Sequence, residues 1–164
     1  MTSTDTQPEI EISGPRAPIR RRIMATSVRA PVVAAVESAT ARETAEVAAQ
    51  LASELKAPLT FIHVRPRPPA SAGSVRSRRQ SVRELFRAHG ALGVALSVAT
   101  RWGVVAQGEI VDGNPVDELV KAATRRKARL LVVGSRRRRF KRSVSRGVLK
   151  TSAVPVVVAH ARPL

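Results

Sequence analysis

Cysteine is absent from this chain, which removes disulfides, a thiolate nucleophile and any Cys-ligated zinc site. Aromatic residues are nearly absent: three Phe, one Trp and no Tyr in 164 residues. The core therefore has to be aliphatic, and a basic surface with so few aromatics is poorly suited to stacking unpaired bases. Acidic residues are scarce, 12 against 29 Lys and Arg. Asp is sparse, and His63, His89 and His160 share no metal-ligand spacing, so no metal site is expected. No apolar stretch approaches the ~20 residues of a membrane span. The first residues lack the apolar centre of a secretory signal. The expectation is a cytoplasmic chain with no integral membrane segment.

What is abundant is positive charge, a net +17. It falls in three clusters, Arg20 to Arg22, Arg76 to Arg87 and Arg136 to Lys150. Charge of this density makes polyanions natural non-specific partners, and it equally describes a heavily solvated surface that says nothing of fold. Residues 1–29 are polar and basic, carry Pro8, Gly14, Pro15 and Pro18 and show no apolar period, as expected of a disordered tail. The domain is expected over residues 30–164.

Pro31 leads into an apolar run, Val32 to Val36, read as the first strand. From Ala39 to Lys56, Ala41, Ala45, Ala48, Leu51, Ala52 and Leu55 recur at helical spacing. Thr40 and Glu43 have the spacing of a capping box. Leu59 to Val64 reads as the second strand. Arg65 to Arg79, rich in Pro, Ser and Arg, reads as a flexible loop. Ser81 to Trp102 is expected to be helical, with Val82, Leu85, Phe86, His89, Leu92, Leu96 and Ala99 as one stripe. His89 on that stripe reads as partly buried, His63 as a structural residue inside a strand, and Trp102 as a core edge. A third strand follows at Val104 to Val111. Asp112-Gly113-Asn114-Pro115 is a turn with Pro115 well placed to begin the next helix, which carries Val116, Leu119, Val120 and Ala123.

The stretch from Arg129 to His160 organises the rest. Leu130 to Val133 is an unbroken apolar run ended by Gly134, as suits a parallel strand buried on both faces. Ser143 to Ser152 has the spacing of a short helix, and Val156 to Ala159 is a further strand. Strand, glycine turn, basic loop, helix and strand make a right-handed βαβ unit. A glycine after a strand with a helix downstream is where doubly wound folds place anions. The whole chain alternates β-α-β-α-β-α-β-α-β, which predicts an α/β domain, a parallel sheet with helices on both faces.

Several segments resemble the universal stress protein family: Val32 to Glu37, Phe61-Ile62-His63-Val64, Gly113-Asn114-Pro115, Gly134-Ser135, Ser143-Val144-Ser145 and Pro155 to Val158. The resemblance covers roughly Ala30 to Ala161. It implies a Rossmann-like, doubly wound five-stranded sheet of order 3-2-1-4-5. It also implies a nucleotide cleft whose adenosine half is held by an acid ending strand one, here Glu37, and by backbone at Val64. The family's phosphate loop, Gly-x2-Gly-x9-Gly-Ser/Thr, would begin at Val133 and Gly134 and end at Ser143 and Val144. Here that loop is several residues shorter, and Arg137 and Arg142 stand where its other glycines belong. Arginine cannot reproduce a glycine backbone path around phosphate, although its guanidinium fork binds phosphate in its own way.

The expectation is a regulatory or stress-response domain of that kind, not an enzyme, with no tightly held cofactor; ATP is the one candidate. An ATP-binding switch, and a basic adaptor docking on nucleic acid or an anionic membrane surface, stand as alternatives. The resemblance further implies a homodimer through the last strand, Pro155 to His160. The arginine clusters imply weak, sequence-blind polyanion binding.

Overall fold

Runs of Val, Leu and Ile form the strands at the centre of the sheet, which leave almost no surface, while the two edge strands are more exposed. In the computed structural model, which describes residues 29–67, 73–135 and 143–160, the strands are β1 (Val32–Ala35), β2 (Leu59–Arg65), β3 (Ala106–Asp112), β4 (Leu130–Ser135) and β5 (Val156–His160). The helices are α1 (Ala41–Leu55), α2 (Val75–Arg101), α3 (Pro115–Arg125) and α4 (Val144–Thr151). The sheet is parallel, in the order β3-β2-β1-β4-β5. The expected fold is therefore the one observed. The basic tail, residues 68–72 of the expected loop and the cluster from Arg136 to Arg142 lie wholly or almost wholly outside the described residues.

Strand parity sorts the core into two layers. Val32, Ala34, Leu59, Phe61 and Val132 face α1 and α2. Val33, Ala35, Ile62, Leu131 and Val133 face Leu119, Ala122 and Ala123 of α3 and Val148 of α4. Between α1 and α2 the contact is largely alanine, Ala45, Ala48 and Ala52 against Ala91, Ala95 and Ala99. Small side chains let the two helices approach closely, which is how a chain with few aromatics still closes its core. Phe61 is the largest fully buried side chain.

Helix ends follow from local chemistry. Asn114 accepts hydrogen bonds from the amides of Val116 and Asp117 at 3.0 and 3.3 Å, and Pro115 fills the first position of α3. Ser143 caps α4 by accepting from Arg146 N–H at 3.1 Å. Lys56 closes α1 in the left-handed region, φ 49°, where glycine is the usual residue.

Four expectations need correction. The capping box at Thr40 and Glu43 does not form: Thr40 sits at the N-cap with φ −125° and ψ 10° and its side chain makes no capping bond. The segment Val75 to Arg79, read as loop, is helix, capped where Ser74 Oγ accepts from Ser77 N–H at 3.2 Å. The apolar stripe of that helix is rotated: Ala88, Ala91, Leu92, Ala95, Val98 and Ala99 are buried, whereas Val82, Leu85 and Phe86 are exposed. His89, expected to be partly buried, is exposed as well. His63 is buried, and its Nδ1–H donates to the Val36 carbonyl at 2.7 Å, tying β2 to the end of β1. Trp102 is 40% exposed and donates from Nε1 to Glu46 at 2.8 Å.

Candidate functional site

In a parallel doubly wound sheet, ligands bind outside the carboxyl ends of the strands, where the strand order reverses. Here that reversal lies between β1 and β4. The sheet brings five of the expected site residues to one place: Glu37, Val64, Val133, Gly134 and Val144 all line a single cavity. Ile62, Pro115 and Leu119 close its other side. Glu37 follows β1 and is exposed, and its carbonyl accepts from Thr40 N–H at 3.0 Å as the chain turns into α1. Ser143 does not line this cavity. Arg137 and Arg142 lie outside the described residues.

The cavity holds about 30 Å³, room for a water or two. A nucleotide of drug-like size needs about 300 Å³ or more. Among the described residues, which leave out 136–142 of the expected phosphate loop, the cavity is about tenfold smaller than that. A much larger open depression, about 1070 Å³, lies at the opposite end of the sheet beneath Pro58, Leu59 and Val104 to Gln107. It is shallow surface around the strand starts, away from the switch point.

Gly134 was expected to bring backbone close to a phosphate. Its missing side chain is accounted for otherwise. A Cβ there would stand 2.5 Å from Thr40 Oγ1 and 2.6 Å from Thr44 Oγ1, so glycine is what lets α1 lie close against β4. Thr44 is fully buried, and its hydroxyl has no hydrogen-bond partner among the described residues. The unfilled N-cap of α1 has the same origin, because Thr40 faces Gly134 rather than the turn.

The N-terminus of α4 was expected to offer free amides to an anion. Ser143 Oγ takes up one of them, Arg146 N–H, and also lies 2.9 Å from Ser145 Oγ. Beside Val64, Arg65 reaches across to its register partner on β3: Nε donates to Asp112 Oδ1 at 2.8 Å and Nη2 to Oδ2 at 2.9 Å. This two-pronged pair closes the end of β2 against β3. Sequence reasoning missed it, because Arg65 and Asp112 become neighbours only once the register is set. Arg126, just past the end of α3, pairs with Glu109 on β3 through one contact, Nη2 to Oε1. Among the described residues no group of three His, Cys, Asp or Glu could hold a metal ion, and no helix is long and apolar enough to cross a membrane.

The model of the Universal stress protein family matches residues 29–160. No curated protein matches the sequence. Among solved structures, a universal stress protein from Archaeoglobus fulgidus in complex with dAMP is 23% identical, with TM-score 0.64, over 80% of this chain and 98% of its own. A universal stress protein in complex with cAMP is 25% identical, with TM-score 0.61, over 80% of this chain and 96% of its own. An Arabidopsis thaliana family protein with AMP bound is 22% identical, with TM-score 0.59, over 82% of this chain and 93% of its own.

Proposed function

The chain belongs to the universal stress protein family, and we propose that it serves there as a regulatory domain of the cytoplasm that neither holds ATP tightly nor hydrolyses it. The observation that carries this reading is the cavity at Glu37, Val64 and Gly134, whose volume of about 30 Å³ falls about tenfold short of a nucleotide site. Relatives whose structures contain dAMP, cAMP or AMP make a nucleotide the ligand to test. Positive charge still draws ATP toward the domain, but attraction without a shaped cradle gives loose, salt-sensitive binding. Isothermal titration calorimetry in ~150 mM salt, near physiological ionic strength, is expected to give no one-to-one ATP complex at micromolar affinity. Such a complex, indifferent to added salt and weakened by Glu37→Ala, would restore the nucleotide-switch reading.

The proposal includes a homodimer through β5. Val156, Val157 and Val158 are only half-buried on this edge strand, and an apolar edge is a liability unless it is paired. Light scattering at micromolar concentration is expected to give twice the chain mass. A monomer there, or a dimer untouched by Val157→Lys, would refute this part.

A further inference from the structure

Helix α2 is longer than the sheet it packs on. Its 27 residues span about 40 Å at 1.5 Å each, whereas the seven residues of β2 span about 23 Å. No residue before Ala88 is buried. Ser38, just beyond the carboxyl end of β1, donates from Oγ to the carbonyl of Arg87, so Arg87 marks the level of the sheet edge. The preceding turns, Val75 to Arg87, project past that edge by about 20 Å.

This projecting half is amphipathic, and its apolar stripe is exposed among the described residues. Val75, Val82 and Phe86 fall within about 40° of one another on a helix of 3.6 residues per turn. They point away from Ala88, Ala91 and Ala95, which face the core. Their exposures are 66%, 52% and 75%. Arg76, Arg79 and Arg83 flank the stripe on one side, with Arg78 on the other. Glu84, the one acid of the segment, lies on the core side and pairs with Arg87 at 3.6 Å.

We propose that Val75 to Arg87 of α2 docks on an anionic lipid surface, with Val82 and Phe86 entering the interface and the flanking arginines meeting lipid phosphates. The charge asks for an anionic partner. The position of the apolar residues selects among anions: a nucleic-acid backbone has no use for Phe86 at the centre of the contact, whereas the boundary between lipid headgroups and acyl chains accommodates it. Val75, Arg76, Arg79 and Arg83 border an open depression of about 590 Å³; Val82 and Phe86 do not line it and stand exposed on the outer side of the helix, where a plane can reach them. Too polar to span a bilayer, the segment has the composition of a helix that lies along one.

The test is co-sedimentation of the full chain with vesicles of equal parts phosphatidylglycerol and phosphatidylcholine, and with phosphatidylcholine alone, in ~150 mM salt. Binding to the anionic vesicles only is expected. Val82→Ser with Phe86→Ser keeps every charge and alters only exposed side chains, so circular dichroism should match wild type. It is expected to weaken binding about tenfold or more, from the apolar burial lost. Arg79→Glu with Arg83→Glu should weaken it comparably. No binding to anionic vesicles overturns the proposal. So does equal binding to neutral vesicles, or an unweakened serine variant; the last would mean that the arginines act alone, as they would on duplex DNA.

Discussion

Replacing Gly134 by alanine separates two reasons for a glycine at the end of β4. If the glycine were there only to let backbone approach a phosphate, the ligand-free domain would not notice a methyl group. The structure says otherwise, because the added Cβ would meet Thr40 Oγ1 at 2.5 Å, Thr44 Oγ1 at 2.6 Å and Thr40 Cβ at 3.0 Å. Real carbon atoms do not approach so closely, and Thr44 is fully buried on a helix packed against the sheet. Either α1 or β4 must shift. Overpacking of this kind costs about 1–3 kcal/mol. With a urea slope near 2 kcal/mol/M, the unfolding midpoint falls by about 1 M. The control is the same substitution in a Thr40→Ala, Thr44→Ala background, where both oxygens are gone and the alanine is expected to cost less than half as much. Residues in contact should be non-additive in this way. An unchanged midpoint for Gly134→Ala, or an equal loss in both backgrounds, refutes the argument and returns Gly134 to a ligand role.

Other substitutions follow from single contacts. Phe61→Ala empties the largest buried side chain and is expected to cost about 3–5 kcal/mol in chemical denaturation. Lys56→Gly relieves a left-handed residue at φ 49° and should raise stability by about 0.5–1 kcal/mol in the same assay. Asn114→Ala removes both capping bonds of α3 and should lower the midpoint by an amount equivalent to about 1 kcal/mol.

The sheet was legible in the sequence because four of its strands hold an apolar run set between turn residues, β3 being the exception, and because β1 and β4 are buried on both faces. Boundaries moved by a residue or two, as at β3, where Val104 and Val105 were counted in and Asp112 left out. The start of α2 was not legible. Helical period is visible in a sequence only where one face meets a core, and Val75 to Arg87 meets none. What periodicity that stretch does have belongs to an exposed face, and Val82 and Phe86 drew the inferred stripe to the wrong side. Thr40 and Glu43 had the right spacing for a cap, yet spacing carries no information about the strand on the other side of Thr40. The pairing of Arg65 with Asp112 spans 47 positions and is invisible without the register.

At the carboxyl edge of the sheet, several of the described groups that could serve a phosphate are used internally. The space beside Gly134 is filled by the hydroxyls of Thr40 and Thr44. The Arg146 amide at the start of α4 is bound by Ser143. Arg65, the cation next to Val64, has both prongs on Asp112. A ligand that used these groups would have to displace packing contacts and an ion pair, and not only water. Each displacement subtracts from affinity. The fold and the switch point are therefore those of the universal stress protein family, while several of the described side chains at that point are engaged with one another. Function follows the site and not the fold, and among the described residues a stripe of exposed apolar and basic side chains lies above the edge, on the projecting turns of α2.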